Sequence, residues 1–162
     1  MDQKTLLQLA KKHGTPIVVM DHKALRENYE QFRKYLPRVQ AYYAVKANCD
    51  PAIVQTFYDV GGSFDVASVA EFLMVHANVR DLPEEQRQNF IWDRIIYANP
   101  IKATETLEQL DPYQPLVTYD NYEEVIKIAR HAPHAGLVAW LTRMRARESV
   151  SKTTLERMLV AA

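Results

Sequence analysis

Apolar residues occur in short runs separated by polar, helix-forming stretches, and their spacing alternates along the chain between strand-like and helical periods. Leu6, Leu9 and Ala10 lie at helical spacing, and Lys11, Lys12 and His13 followed by Gly14 make a basic last turn with a glycine stop, so a short helix is predicted over residues 5–13. The β-branched apolar run at 15–20 predicts a strand. Asp21 then caps a helix whose Leu25, Tyr29, Phe32 and Leu36 fall on one face. The same unit recurs: a strand at 39–45, then Asp50 as N-cap with Pro51 in the first helical position, opening a helix that stops at Gly61 and Gly62. A strand at 63–66 precedes a helix begun by Ser68 and running through Val69, Phe72 and Leu73. Strands are also predicted at 95–98 and 116–119, each followed by a helix, the second capped by Asp120 with Glu123 three residues on, and again at 137–142. Residues 78–94, polar and containing Pro83, break the rhythm and read as a surface insertion with some helix.

Strands alternating with helices imply right-handed βαβ units and a parallel sheet, either open and doubly wound or curled toward a barrel; the pattern leaves both open. A length of 162 residues, 48% hydrophobic and 25% charged, suits a globular domain rather than a disordered or membrane-spanning chain. Lys and Arg number 20, as do Asp and Glu, so no global field draws the chain to nucleic acid or an anionic membrane, and neither is expected as a partner. Cys49 is the single cysteine and cannot form an internal disulfide. The opening MDQKTLLQLAKKHG lacks the apolar core of a signal peptide, and a cytoplasmic location is the expectation. Only 4 glycines occur, few for loops that approach a phosphate.

The candidate chemistry begins at Lys46, directly after the apolar strand in AYYAVKAN. Catalytic groups gather at the C-terminal ends of parallel strands, and a lysine there can form a Schiff base; it can equally be the first solvated residue after a buried strand. Asp65 ends the next strand as either a functional carboxylate or a turn former. Ser68 and Glu71 make a capping box that by itself explains both side chains. His13, His22, His76, His131 and His134 share no metal-ligand spacing, so no metal is expected.

Three segments in order, YYAVKAN at 42–48, FDVAS at 64–68 with Glu71 following, and DRIIYANPIK at 93–102, resemble the N-terminal portion of the pyridoxal-phosphate-dependent, fold-type III (alanine-racemase-like) decarboxylases. YANPIK is closer to the ornithine decarboxylase branch than to the diaminopimelate branch. The resemblance covers about residues 14–138. It implies an α/β fold, a partial (β/α)8 TIM-like barrel of about the first four to five β/α units with the C-terminal β-domain absent. Residues 1–38 would lead into the barrel, 39–142 would form the partial cofactor-binding barrel, and 143–162 would be a divergent basic tail.

The resemblance implies that Lys46 holds pyridoxal 5'-phosphate through its amine, with Asp65 beside the imine as a second cofactor-binding residue. It also puts Glu71 close to the catalytic lysine, so the implied catalytic set is Lys46, Asp65 and Glu71. Asn99 and Pro100 read as a turn without a catalytic role. The implied function is decarboxylation of a small-molecule basic amino acid, of the ornithine-to-putrescine type that serves polyamine biosynthesis, in a truncated form with little or no turnover. The alternative is a non-enzymatic decarboxylase-like fragment that interacts with a full-length homologue or its regulators. A racemase-like or cofactor-carrier protein of the same fold type is a third reading, against which YANPIK argues.

Family members typically end the strand at 137–142 with an arginine where this chain has Trp140, and no family feature is evident from Arg143 onward. A complete barrel takes ~250 residues and keeps its phosphate site on loops after the late strands. Such a partial barrel would leave strand edges and an apolar interior open, so low stability alone and a homo- or hetero-oligomer are expected.

Overall fold

The computed structural model describes residues 1–133. The strand expected at 137–142, Trp140 and the basic tail lie outside the described residues. Helices α1 (Gln3–His13) and α2 (His22–Tyr35) precede strand β1 (Tyr42–Ala44), and α3 (Pro51–Asp59), β2 (Ser63–Val66), α4 (Val69–His76) and α5 (Glu84–Arg94) follow. Then come β3 (Ile95–Tyr97), α6 (Thr104–Leu110), β4 (Leu116–Val117) and α7 (Tyr122–His131).

Local chemistry accounts for the boundaries. The Asp21 carboxylate accepts from the Lys23 and Ala24 amides at the start of α2. Asp50 accepts from Ala52 N at 2.8 Å and Pro51 fills the first position of α3. Gly61, at φ +74°, closes that helix in the left-handed region, and a Cβ on Gly62 would meet the Phe57 carbonyl oxygen at 2.8 Å. The polar 78–94 connection does contain a helix, α5, entered at Pro83.

Three expectations change. Residues 17–20 are irregular, not a strand: no described strand pairs with them and Val18 is 89% exposed, so β propensity finds no ladder to complete. The strand expected at 39–45 shrinks to Tyr42–Ala44, because only those residues pair with β2 and Val45 enters a 3-10 turn. The last helix is capped by Asn121, which accepts from Glu124 N at 2.9 Å, one residue later than expected; Asp120 instead accepts from the Asn121 side chain.

The four strands are all parallel and stand in sequence order, β1-β2-β3-β4. A doubly wound sheet requires a reversal of strand order, and there is none among the described strands; right-handed crossovers in unbroken order put every connecting helix on one side, as in a barrel segment. Phe64 and Val66 of β2 and Ile95 and Tyr97 of β3 face those helices and are buried, in one cluster with Val54, Phe72, Val75, Ile91, Leu107, Leu110, Val125 and Ile128. Each such side chain contributes roughly 1.5–3 kcal/mol on burial. The pleat turns Ala44, Asp65, Ile96 and Leu116 to the other face, where the register aligns them in one row that remains partly or largely exposed. No helix among the described residues is long and apolar enough to cross a membrane.

Candidate functional site

Lys46 sits in a 3-10 turn, Val45–Ala47, at the C-terminal end of β1. Fully buried Val45 anchors the turn from below. Tyr43 holds it from the side: its ring stacks on Phe57 at 4.1 Å and its hydroxyl donates to the Asn48 carbonyl at 2.9 Å. Burial raises the Tyr43 pKa above the ordinary tyrosine value, so the phenol keeps the proton it donates. The backbone around Lys46 is thus fixed while its side chain is exposed and, among the described residues, makes no hydrogen bond or ion pair.

Asp65 stands one strand away, in register with Ala44 on the open face. Its buried neighbours Phe64 and Val66 occupy the opposite face and leave no other direction for it. The small Ala44 next to it keeps that face uncrowded. Asp65 is half-buried and has no side-chain hydrogen bond among the described residues. Adjacent parallel strands therefore bring an unengaged amine and an unengaged carboxylate to one end of the sheet.

Glu71 is engaged differently. Its Oε2 accepts from Ala67 N at 2.9 Å, and Ser68 Oγ accepts from Glu71 N at 3.3 Å, so both cap α4. The capping box expected from the sequence forms with one change: the glutamate reaches the amide before the cap rather than that of the cap itself. This role absorbs the Glu71 side chain at the start of α4, and the structure forms no bond between it and Lys46 among the described residues.

The chemistry of these groups fits the aldehyde end of pyridoxal phosphate: a solvent-accessible primary amine can condense with a carbonyl, and a neighbouring carboxylate favours the protonated product by charge attraction. Gly61 and Gly62, by contrast, lie at the opposite, N-terminal end of the strands, directly before β2 begins.

One charged cluster is not evident from composition or spacing. Lys102, last residue of DRIIYANPIK, is 1% exposed and lies 5.7 Å over the Tyr97 ring. Its Nζ is 3.7 Å from Glu124 Oε2, and the other oxygen of Glu124 pairs with Lys127. Neither Lys102 Nζ nor Glu124 Oε2 has a hydrogen-bond partner among the described residues. Burial lowers the Lys102 pKa against the opposing pull of Glu124 and Asp120. Tyr97 is raised, chiefly by burial. The available signal was an acidic residue four before Ile128 on the apolar face of α7, where solvent is excluded.

The family model described as "Pyridoxal-dependent decarboxylase, pyridoxal binding domain" matches residues 22–158. A lysine/ornithine decarboxylase of Selenomonas ruminantium is 33% identical over 139 residues, which is 85% of this chain and 33% of that protein. Antizyme inhibitor 2 of Xenopus laevis is 36% identical over 109 residues, covering 67% of this chain and 22% of that one. The crystal structure of lysine decarboxylase from Selenomonas ruminantium superposes with a TM-score of 0.67 at 32% identity, over 83% of this chain and 34% of that one. The chain spans about a third of the Selenomonas decarboxylase.

Proposed function

Because the chain belongs to the pyridoxal-dependent decarboxylase family through its pyridoxal-binding domain, we propose that it forms the lysine side of a cofactor site that decarboxylates a basic amino acid of the ornithine type. The observation that carries this reading is the exposed amine of Lys46 just after β1, at the sheet end where Asp65 of β2 pairs with Ala44, neither side chain having a partner among the described residues. Lys46 attaches the cofactor, and Asp65 holds positive charge next to the attachment point. Pyridoxal phosphate, when bound, supplies the aldehyde for that attachment and a ring that takes up the electron pair left by a departing carboxylate. The protein's own contribution is orientation: the Tyr43 hydroxyl and buried Val45 keep the Lys46 backbone still, so the amine has one origin from which to reach. Glu71 serves the site by fixing the chain between β2 and α4, directly after Asp65.

The basic-amino-acid assignment draws on the lysine/ornithine decarboxylase likeness and on YANPIK. Titration of the full chain with pyridoxal phosphate tests it, followed by carbon dioxide release from ornithine, lysine and arginine. The expected result is a near-visible absorbance band that saturates in the wild type and is lost in Lys46→Ala. A band that persists in Lys46→Ala overturns the assignment of Lys46.

A second reading is favoured by the likeness to an antizyme inhibitor: a non-enzymatic member of the family that acts by binding a full-length homologue or its regulator. Stable co-purification with a full-length decarboxylase, together with no carbon dioxide release from any basic amino acid, would select it.

A further inference from the structure

Lysine is among the residues least often buried completely, and an ammonium taken out of water is costly unless well paired and hydrogen-bonded. Lys102 meets only half of that requirement. It has a counter-charge at 3.7 Å in Glu124 but no hydrogen-bond partner among the described residues. A well-packed apolar side chain would fill the same space at lower cost, so stability alone does not explain a charge here.

Its place in the chain does. Lys102 follows the turn 98–101, which leaves the end of β3 where Val66↔Tyr97 closes the ladder with β2. This is the sheet end that carries Lys46 and Asp65. The turn has little to hold it from outside: Ile101 is 79% exposed and Pro100 is exposed. Inside, Asn99 Nδ2 donates to the Ile101 carbonyl at 2.6 Å. The Lys102 side chain then passes over the Tyr97 ring to Glu124 on α7. Lys127 neutralises the outer face of the same carboxylate and fixes its rotamer. A charge attracted to one fixed point localises the backbone that bears it, which an apolar side chain of similar volume does not do.

We propose that Lys102 is a positioning residue, whose buried ammonium, held by Glu124, fixes the turn 98–101 at the cofactor end of the sheet. The link to cofactor rests on Lys46 being the cofactor lysine; the placement of the turn does not.

The test compares the wild-type chain with Lys102→Met, which keeps the stem and removes the charge, and with Lys102→Arg. Amide exchange is read peptide by peptide, and the yield of borohydride-reduced pyridoxal phosphate on Lys46 is measured at limiting cofactor. In Lys102→Met, exchange over 98–103 should rise about tenfold while that of β1 and α3 stays at wild-type levels. The Lys46 adduct should fall about tenfold, and Lys102→Arg should recover part of both. Should Lys102→Met not fold, Lys102→Met/Glu124→Leu removes both buried charges, and the same local rise is expected of it. Unchanged exchange over 98–103, or a rise spread equally over all segments, overturns the proposal. A wild type with no Lys46 adduct overturns the reading of Lys46 instead, and the exchange data still decide whether Lys102 holds the turn.

Discussion

Two lysines lie just beyond parallel strands of the same sheet, in motifs of equal standing, and their surroundings are opposite. Lys46, after β1, is exposed, and among the described residues its amine has no partner. Lys102, after β3, is sealed between the Tyr97 ring and α7, with its charge opposed by Glu124. What separates them is whether the chain turns toward the open face of the sheet or dives back under its helices. The first keeps an amine available for covalent chemistry; the second turns a charge into an anchor. A lysine at the end of a strand is thus no indication of role until the layer it enters is known.

The contrast is tested most severely by removing the counter-charge. Glu124→Gln leaves Lys102 buried with no opposite charge in contact and should cost about 3–5 kcal/mol in urea unfolding, whereas Lys46→Ala should stay within about 0.5 kcal/mol of wild type. Equal costs would erase the distinction between the two lysines.

Next in size is the contribution of Lys102 to the pH dependence of stability. Its folded pKa lies below the ordinary 10.5 because of burial, so between the two values the unfolded chain holds more protons than the folded one. Stability should therefore rise with pH from the lowered Lys102 pKa toward 10.5, while above the ordinary tyrosine value of 10.0 the raised pKa values of Tyr42, Tyr43, Tyr97 and Tyr119 oppose the trend. Glu124, Asp120 and Lys127 are the other charges acting on this group. Lys102→Met should flatten the rise; an identical profile in the variant would assign it elsewhere.

The smallest effect sharpens the Lys46 side. Ser68→Ala removes the cap that accepts from Glu71 N and should cost about 1 kcal/mol in thermal unfolding without abolishing the Lys46 adduct. Complete loss of the adduct would mean that the α4 cap does more than hold the chain after Asp65.

Much of the fold was legible because its punctuation is local. Asp21, Asp50-Pro51, Ser68 and the Gly61-Gly62 stop each act within a few residues, and each sets the boundary expected of it. The 15–20 run misled because strand formation depends on a partner, and apolar β-branched residues carry no record of whether one exists. The choice between open sheet and barrel also waited on strand order, a long-range property. Lys46 and Asp65 were singled out from motifs, and the β1-β2 register brings them to the same end of the sheet. The Lys102-Glu124 pair was not, since its partners are 22 positions apart on different elements and each looks like an ordinary charged residue in its own segment.

The central claim is that Lys46 is the residue that captures pyridoxal phosphate, and peptide mapping after borohydride reduction of the full chain tests it directly. The account predicts a single dominant adduct on the peptide containing Lys46, approaching one per chain and absent from Lys46→Ala. Label distributed over the exposed lysines in proportion to their accessibility, and unchanged in Lys46→Ala, would contradict it.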